Sequence, residues 1–129
     1  MMDGFFNIVF TGASGSGFGV LVFSAGIIVG ADASGAIYDG KYMENISTGE
    51  ITIHGKISIP GGAMPVQNGI PLAAATTVHI DATMAKADML SQKIVLLQTA
   101  LGPINVIYKK IRDFPYGVLD AENLATKLA

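Results

Sequence analysis

The chain of 129 residues lacks cysteine entirely, and this absence excludes disulfide bonds and thiol chemistry. Only eight Lys and Arg residues are present, and they are scattered, so the sequence forms no basic stripe for nucleic acid. The most hydrophobic window, residues 18–31, is interrupted by glycines and covers about 14 residues, whereas a membrane helix needs roughly 20. No basic segment precedes an apolar run at the N-terminus, so we expect no signal peptide. These absences predict a soluble, cytoplasmic protein with no membrane or direct nucleic-acid contact.

Two segments alternate strictly between apolar and polar residues. Residues 50–59 and 77–84 each change character at every step, which is the period of a strand with one buried face. The apolar positions are Ile51, Ile53, Ile57 and Ile59 in the first segment and Val78, Ile80, Ala82 and Met84 in the second. The alternation therefore predicts an antiparallel β protein with an apolar interior.

Eight candidate strands follow one another between glycine, proline and asparagine breakers. Their predicted bounds are Gly4–Thr11, Gly17–Ser24, Ile27–Ala31, Gly35–Met43, Glu50–Ile59, Ala75–Ala85, Gln92–Leu101 and Ile104–Asp113. Short connections favour neighbouring antiparallel strands, and eight strands close readily into a small up-and-down barrel. We therefore predict a mainly β fold in which residues 1–129 form a single barrel domain.

Two segments depart from this strand rhythm. The segment Pro60–Leu72 is rich in proline and glycine, so it is predicted to be a long loop. Such a loop serves either as a lid or binding loop, or simply as a connection across one barrel end. Residues 120–128 are predicted to form a short C-terminal helix, with Asp120 as its N-cap.

Apolar residues occupy both faces of the last two predicted strands. The run Ile94–Leu97 is continuously apolar, and Ile107 and Ile111 lie on the face opposite Val106. A strand that is apolar on both sides must be covered outside the barrel as well as inside. Either the C-terminal helix or a second subunit would supply that cover. The helix is short and large bare apolar patches are rare on monomers, so we predict a homodimer.

No motif in the chain predicts catalysis, a metal site or a cofactor site. The glycine-rich run Thr11–Gly19 is followed by a β-type segment rather than by the helix that a dinucleotide-binding turn requires, so it is predicted to be a hairpin. Both histidines, His54 and His79, are predicted to lie on the outer face. The spacing of His79 and Asp81 allows a surface pair, but no third group converges on them. We therefore predict a non-enzymatic protein with no cofactor.

A series of short motifs resembles the negative-regulator (GrlR-like) family associated with type III secretion. The matching positions are Asp3, Gly4, Phe6, Ile8 and Phe10, then Gly17 and Gly19–Val22, then Gly26, Gly30 and Asp32, then Tyr38, Gly40 and Tyr42. The resemblance implies a lipocalin-like, dimeric β-barrel that controls a transcriptional activator through protein contact rather than DNA contact. The best-studied type of that family holds its activator with an acidic cluster in the loop after the Y-x-G strand. Here the corresponding loop, Glu44–Glu50, keeps acids only at its two ends.

Two functional hypotheses follow. In the first, the protein is a regulatory module that contacts a protein partner through its exposed loops, chiefly Glu44–Glu50 and Pro60–Leu72. The possible contact residues of the first loop are Glu44, Asn45, Ser47, Thr48 and Glu50. In the alternative, it carries or senses a small apolar ligand in the barrel interior. The residues predicted to line that interior are Phe6, Ile8, Phe10, Ile51, Ile53, Ile57, Val78, Ile80 and Met84.

Overall fold

The structure is a computed structural model and describes residues 2–117. Eight strands and one short helix form in these residues. They are β1 Gly4–Gly12, β2 Gly15–Ser24, β3 Ile27–Asp32, β4 Ile37–Asn45, β5 Glu50–Ile59, β6 Thr76–Ala85, α1 Lys86–Leu90, β7 Val95–Leu97 and β8 Ile104–Asp113. The prediction of a mainly β fold with eight antiparallel strands is confirmed. The predicted helix at 120–128 lies outside the described residues.

The strands form one antiparallel sheet that curls into a nearly closed barrel. Their order is β6-β5-β4-β3-β2-β1-β8-β7, so pairing of the first strand with the last brings the two ends of the meander together. The seam lies between β6 and β7, which share no ladder. Helix α1 follows β6 directly and packs against β6 and β8, with Met89 completely buried. Closure by hydrogen bonds is therefore incomplete, and the helix covers part of the gap.

The seventh strand is the main correction to the predicted elements. Residues 92–101 were expected to form one strand, but only Val95–Leu97 pair with β8. Gln92 has a left-handed φ of 60°, and Thr99 Oγ1 accepts from the Leu101 amide while donating to the Gly102 carbonyl. These local bonds replace a sheet ladder. Helix α1 was not predicted, although its five residues are mostly good helix formers and the strand alternation stops at Met84.

One end of the barrel, which we call the plugged end, is filled by side chains. The rings of Phe6, Phe23 and Tyr42 meet edge to face, with successive centroids 5.1 Å apart. Met2 and Ile51 are buried at the same level of the core. The β2–β3 turn at this end uses Ala25 and Gly26, whose φ values of 49° and 82° suit the tight hairpin turn that matches strand twist.

Asp3 ties the N-terminal segment to the plugged end. Its carboxylate accepts hydrogen bonds from the Tyr42 and Tyr116 hydroxyls and from the Ala25 amide, the last at 3.0 Å. Burial acts to raise the pKa of this carboxyl, but the three donors outweigh it and hold the pKa below its usual value. One carboxylate thus joins β1, the β2–β3 turn, β4 and the chain beyond β8.

Candidate ligand cavity

The other end of the barrel, which we call the cavity end, is hollow. A cavity of about 470 Å³ lies between the plugged end and the long loop that crosses the opposite rim. Its walls are mainly aliphatic, and they come from inward positions of nearly every strand. Ligand pockets for small molecules occupy about 300–1,000 Å³ and are mostly apolar. The interior thus has the size and surface of a small-molecule site.

Two inward glycines contribute to the wall of the cavity. Gly40 and Gly55 face each other across β4 and β5, and both border the cavity without a side chain. The two strands approach closely there: a Cβ built on Gly40 would lie 2.8 Å from the His54 carbonyl oxygen, and one on Gly55 would lie 3.0 Å from the Asp39 carbonyl oxygen. Glycine in a strand often marks such a close approach of backbones. The wall is therefore bare backbone at this point of the β4–β5 ladder.

The long loop, residues 60–75, crosses the cavity end, and we refer to it as the lid. Its Val66 carbonyl accepts from the Ser14 amide at 2.9 Å, and its Pro65 carbonyl accepts from the Ser14 hydroxyl at 3.3 Å. A Cβ on Gly12 would approach the Val66 carbonyl closer than real contacts allow. The sequence left open whether this loop is a lid or a plain connection. The structure places it across the barrel end, with Pro65 and Val66 bordering the cavity.

Asp32 and Tyr38 form a polar pair in the cavity wall. The Tyr38 hydroxyl donates to the Asp32 carboxylate, which also accepts from the Ser34 amide at 2.9 Å and the Ala36 amide at 3.2 Å. Burial and the adjoining carboxylate raise the pKa of the Tyr38 phenol, so it stays protonated. Every hydrogen bond that this pair makes is directed within the protein. Its evident task is to close the β3–β4 turn.

Tyr108 contributes a different kind of polar group. Its side chain is only 3% exposed, lies on an inward position of β8 and borders the cavity. Within residues 2–117 its hydroxyl has no hydrogen-bond partner. Every side-chain polar atom in these residues that is fully enclosed by protein does have a partner, so the Tyr108 hydroxyl is not fully enclosed. The hydroxyl oxygen therefore borders open space. Burial raises the pKa of this phenol, so it remains a neutral donor.

Tyr108 was absent from the predicted lining, although the signal was present. The alternation Ile104, Val106, Tyr108 places one phenol in an otherwise aliphatic inward row. The other predicted lining residues separate into two groups. Those that border the cavity are Ile8, Phe10, Ile53, Ile57, Ile80 and Met84, whereas Phe6, Ile51 and Val78 are buried without bordering it.

Both histidines lie on the outside of the barrel. Asp81 pairs across the strands with His54, whose Nδ1 is 2.5 Å from the carboxylate, rather than with His79 on its own strand. His54 and Asp81 face each other in the β5–β6 register, which sequence spacing along one strand does not reveal. Both side chains are largely exposed. Within the part of the chain that the structure describes, no three potential metal ligands cluster.

The loop predicted to bind a partner is a compact turn. The side chain of Asn45 accepts from the Ser47 and Thr48 amides, and the Thr48 hydroxyl accepts from the Glu50 amide. Glu44 is paired with Lys86 at 2.5 Å. The most prominent side chain of the loop is Ile46, which is 91% exposed at the tip and was not among the predicted contact residues.

A second exposed apolar feature covers the outside of β1–β4. We call it the outer apolar strip, and it consists of Val9, Phe18, Val20, Val22, Val29, Ala31 and Ile37. The ladder places these side chains next to one another: Val9 pairs with Phe18, Val22 with Val29, and Ala31 with Ile37. The prediction of external apolar surface named β7 and β8, where Ile94, Leu96 and Ile111 are exposed. The larger continuous strip on β1–β4 was missed.

Comparison with known proteins adds no relative: no protein-family model matches this chain, and no curated protein sequence matches it. The resemblance to GrlR-like regulators therefore stays a prediction. Among the described residues no helix is long and apolar enough to cross a membrane.

Proposed function

We propose that this protein binds a small, mainly apolar molecule inside the barrel and catalyses no reaction. The observation that carries the proposal is the cavity of about 470 Å³ between the plugged end and the lid. Protein interiors normally pack as tightly as organic crystals, and voids larger than a water molecule are few. A cavity of this size that reaches into the barrel therefore favours a binding role over that of a scaffold alone.

The free-energy cost of an empty cavity supports the same proposal. A sealed, dry cavity in a protein core is costly, at about 24 cal/mol per Å³. This cavity is partly open to solvent, with the exposed Phe18 and Met64 on its border, so solvent can enter it in the free protein. Solvent in the free protein and an apolar molecule in the bound protein both avoid the cost, and only the second also buries the aliphatic walls.

Fluorescence titration with N-phenyl-1-naphthylamine, an uncharged apolar dye, tests the proposal. We expect saturable binding of one dye per barrel. The variant Ile57→Trp should weaken binding at least tenfold because Ile57 borders the cavity. The matched variant Ile37→Trp should bind like the wild type, since Ile37 is exposed on the outside of the neighbouring strand. No binding by the wild type, or equal binding by both variants, would overturn the proposal.

A regulatory role through protein contact is the second candidate, and the outer apolar strip favours it. The residues of the strip are all apolar, with the exposed Asp39 beside Val29 at the β4 edge, so a second copy of the same face is a chemically matched partner in a two-fold interface. We propose a cytoplasmic homodimer formed through this strip. Light scattering should then give about twice the chain mass of 13.4 kDa. Val29→Lys, at the centre of the strip, should give monomers, whereas Ile46→Lys should remain dimeric.

The partner implied by the GrlR-like resemblance is a transcriptional activator, and the 44–50 turn is the second surface proposed for it. The exposed Ile46 supports an apolar anchor there rather than an acidic one. Co-purification from the native host at low salt tests this role. A stable partner that is retained by the wild type and lost with Ile46→Ser would support it; the absence of any stable partner would count against it.

A further inference from the structure

We propose that the ligand is uncharged and carries one oxygen acceptor, a carbonyl, hydroxyl or ether, that receives a hydrogen bond from the Tyr108 hydroxyl. This inference rests on the proposed binding function and names the chemical class that the cavity selects. Tyr108 is then a specificity-determining residue.

The position of Tyr108 carries the inference. Tyr108 is only 3% exposed and borders the cavity, and within residues 2–117 its hydroxyl has no hydrogen-bond partner. Buried polar groups in native proteins are nearly always hydrogen-bonded, and the exceptions call for a partner that the protein itself does not supply. Burying a phenol hydroxyl without a hydrogen-bond partner costs free energy, and phenylalanine would fill the same space without that cost.

The remaining polar groups of the cavity wall do not compete for this role. The Asp32 carboxylate is held by Tyr38, Ser34 and the Ala36 amide, so it is directed into its own turn. Asp39 and Lys56 border the cavity but occupy outward positions and are exposed. Gln67 on the lid also borders the cavity, and its amide nitrogen donates to the Thr99 hydroxyl at 3.4 Å. Among the described inward strand positions that border the cavity, Tyr108 alone presents a polar group that is free to meet a ligand.

The same environment excludes a charged ligand group. Among the described residues that border the cavity, the cationic side chain is that of Lys56, which occupies an outward position. Lys110 continues the inward row of β8, but it is paired with Asp113 and does not border the cavity. Burying a ligand carboxylate without a cation beside it has a large desolvation cost. A neutral oxygen needs only one donor, and the protonated Tyr108 phenol provides it.

Three naphthalene probes that differ in one substituent test the inference by competition with N-phenyl-1-naphthylamine. They are 2-acetonaphthone, with a neutral acceptor, 2-ethylnaphthalene, with none, and 2-naphthoate, with a charge. In the wild type, 2-naphthoate should bind weakest. Tyr108→Phe should weaken 2-acetonaphthone about five- to tenfold, the effect of one net hydrogen bond, and leave 2-ethylnaphthalene unchanged or slightly tighter.

Tyr38→Phe is the matched control, since it removes a cavity-wall hydroxyl that is already bonded to Asp32. It should leave the ratio of the first two probes as in the wild type. Equal loss of both probes in Tyr108→Phe, or no loss of either, would overturn the inference while leaving the binding function intact. If neither the dye nor any probe binds the wild type, the proposed binding function itself is wrong. That outcome differs from binding that does not depend on the Tyr108 hydroxyl, which would overturn only the inference about the ligand.

Discussion

Replacing Ile51 and Ile57 by alanine, one at a time, measures the contrast between the filled and hollow ends of the barrel. Both residues lie on β5 and on its inward face. Ile51 is fully buried at the plugged end, whereas Ile57 is partly buried and borders the cavity. The same three carbon atoms are therefore deleted from one strand, once from a packed site and once from the edge of a void.

The expected costs differ because only one deletion creates a new cavity. Loss of transfer free energy, at about 0.8 kcal/mol per CH₂ group, accounts for about 2.4 kcal/mol when the side chain is fully buried. At Ile51 a cavity term adds to this, giving about 4 kcal/mol. At Ile57 the deleted atoms already face open space on one side, so we expect about 1–2 kcal/mol. The difference between the two variants should thus be about 2 kcal/mol or more.

Urea denaturation of both variants at one protein concentration provides the assay. With an m value of about 1.5 kcal/mol per molar urea, a difference of 2 kcal/mol separates the two midpoints by about 1.3 M. Equal midpoints would mean that the interior is packed uniformly from end to end. The cavity, and the binding function built on it, would then be wrong.

Three further predictions concern other parts of the fold. The pKa of the Asp3 carboxyl is lower in the folded state than in the unfolded state. Its contribution to stability is therefore full above the unfolded pKa of about 4 and is lost as the pH falls through the folded pKa. Asp3→Asn should make the free energy of unfolding less dependent on pH in this acidic range. Gly12→Ala should displace the lid, which hydrogen exchange at the Ser14 amide would detect as lost protection, because a Cβ there collides with the Val66 carbonyl. His54→Ala should change the free energy of unfolding by no more than about 0.5 kcal/mol in urea titrations, because the pair with Asp81 is exposed.

The sequence was sufficient to predict the barrel because strand alternation is a local property. The rows Ile51–Ile59 and Val78–Met84 point inward as their period of two requires. The seventh strand was harder, because its length is set by the turn around Thr99 and by the seam beside β6. A run of apolar residues does not by itself show where pairing stops.

The cavity could not be predicted from the pattern of any single strand, because it depends on how the strands are paired. Gly40 and Gly55 form a bare stretch of the cavity wall because the register places them opposite each other. The lid contacts Ser14, about fifty residues earlier in the chain. Asp81 meets His54 rather than the closer His79 for the same reason. Sequence spacing shows which face a residue occupies, but contacts across strands require the register.

The outer apolar strip shows a signal that was present in the sequence. Phe18, Val20 and Val22 alternate with inward residues, and so do Ile27 and Val29 on the next strand, so both faces of this hairpin are apolar. Glycines interrupt the same segment, and they mark the inward positions and the turn rather than the outward row. The same reasoning that was applied to β7 and β8 would have identified it.

Methyl NMR of the protein labelled at its isoleucine δ-carbons tests the hollow, ligand-binding barrel most directly. On addition of 2-acetonaphthone, we expect intermolecular nuclear Overhauser effects to the Ile53, Ile57 and Ile80 methyls, which border the cavity, and none to Ile51 in the plugged end. Contacts confined to the exposed Ile37, or no contacts at saturating ligand, would contradict an interior binding site.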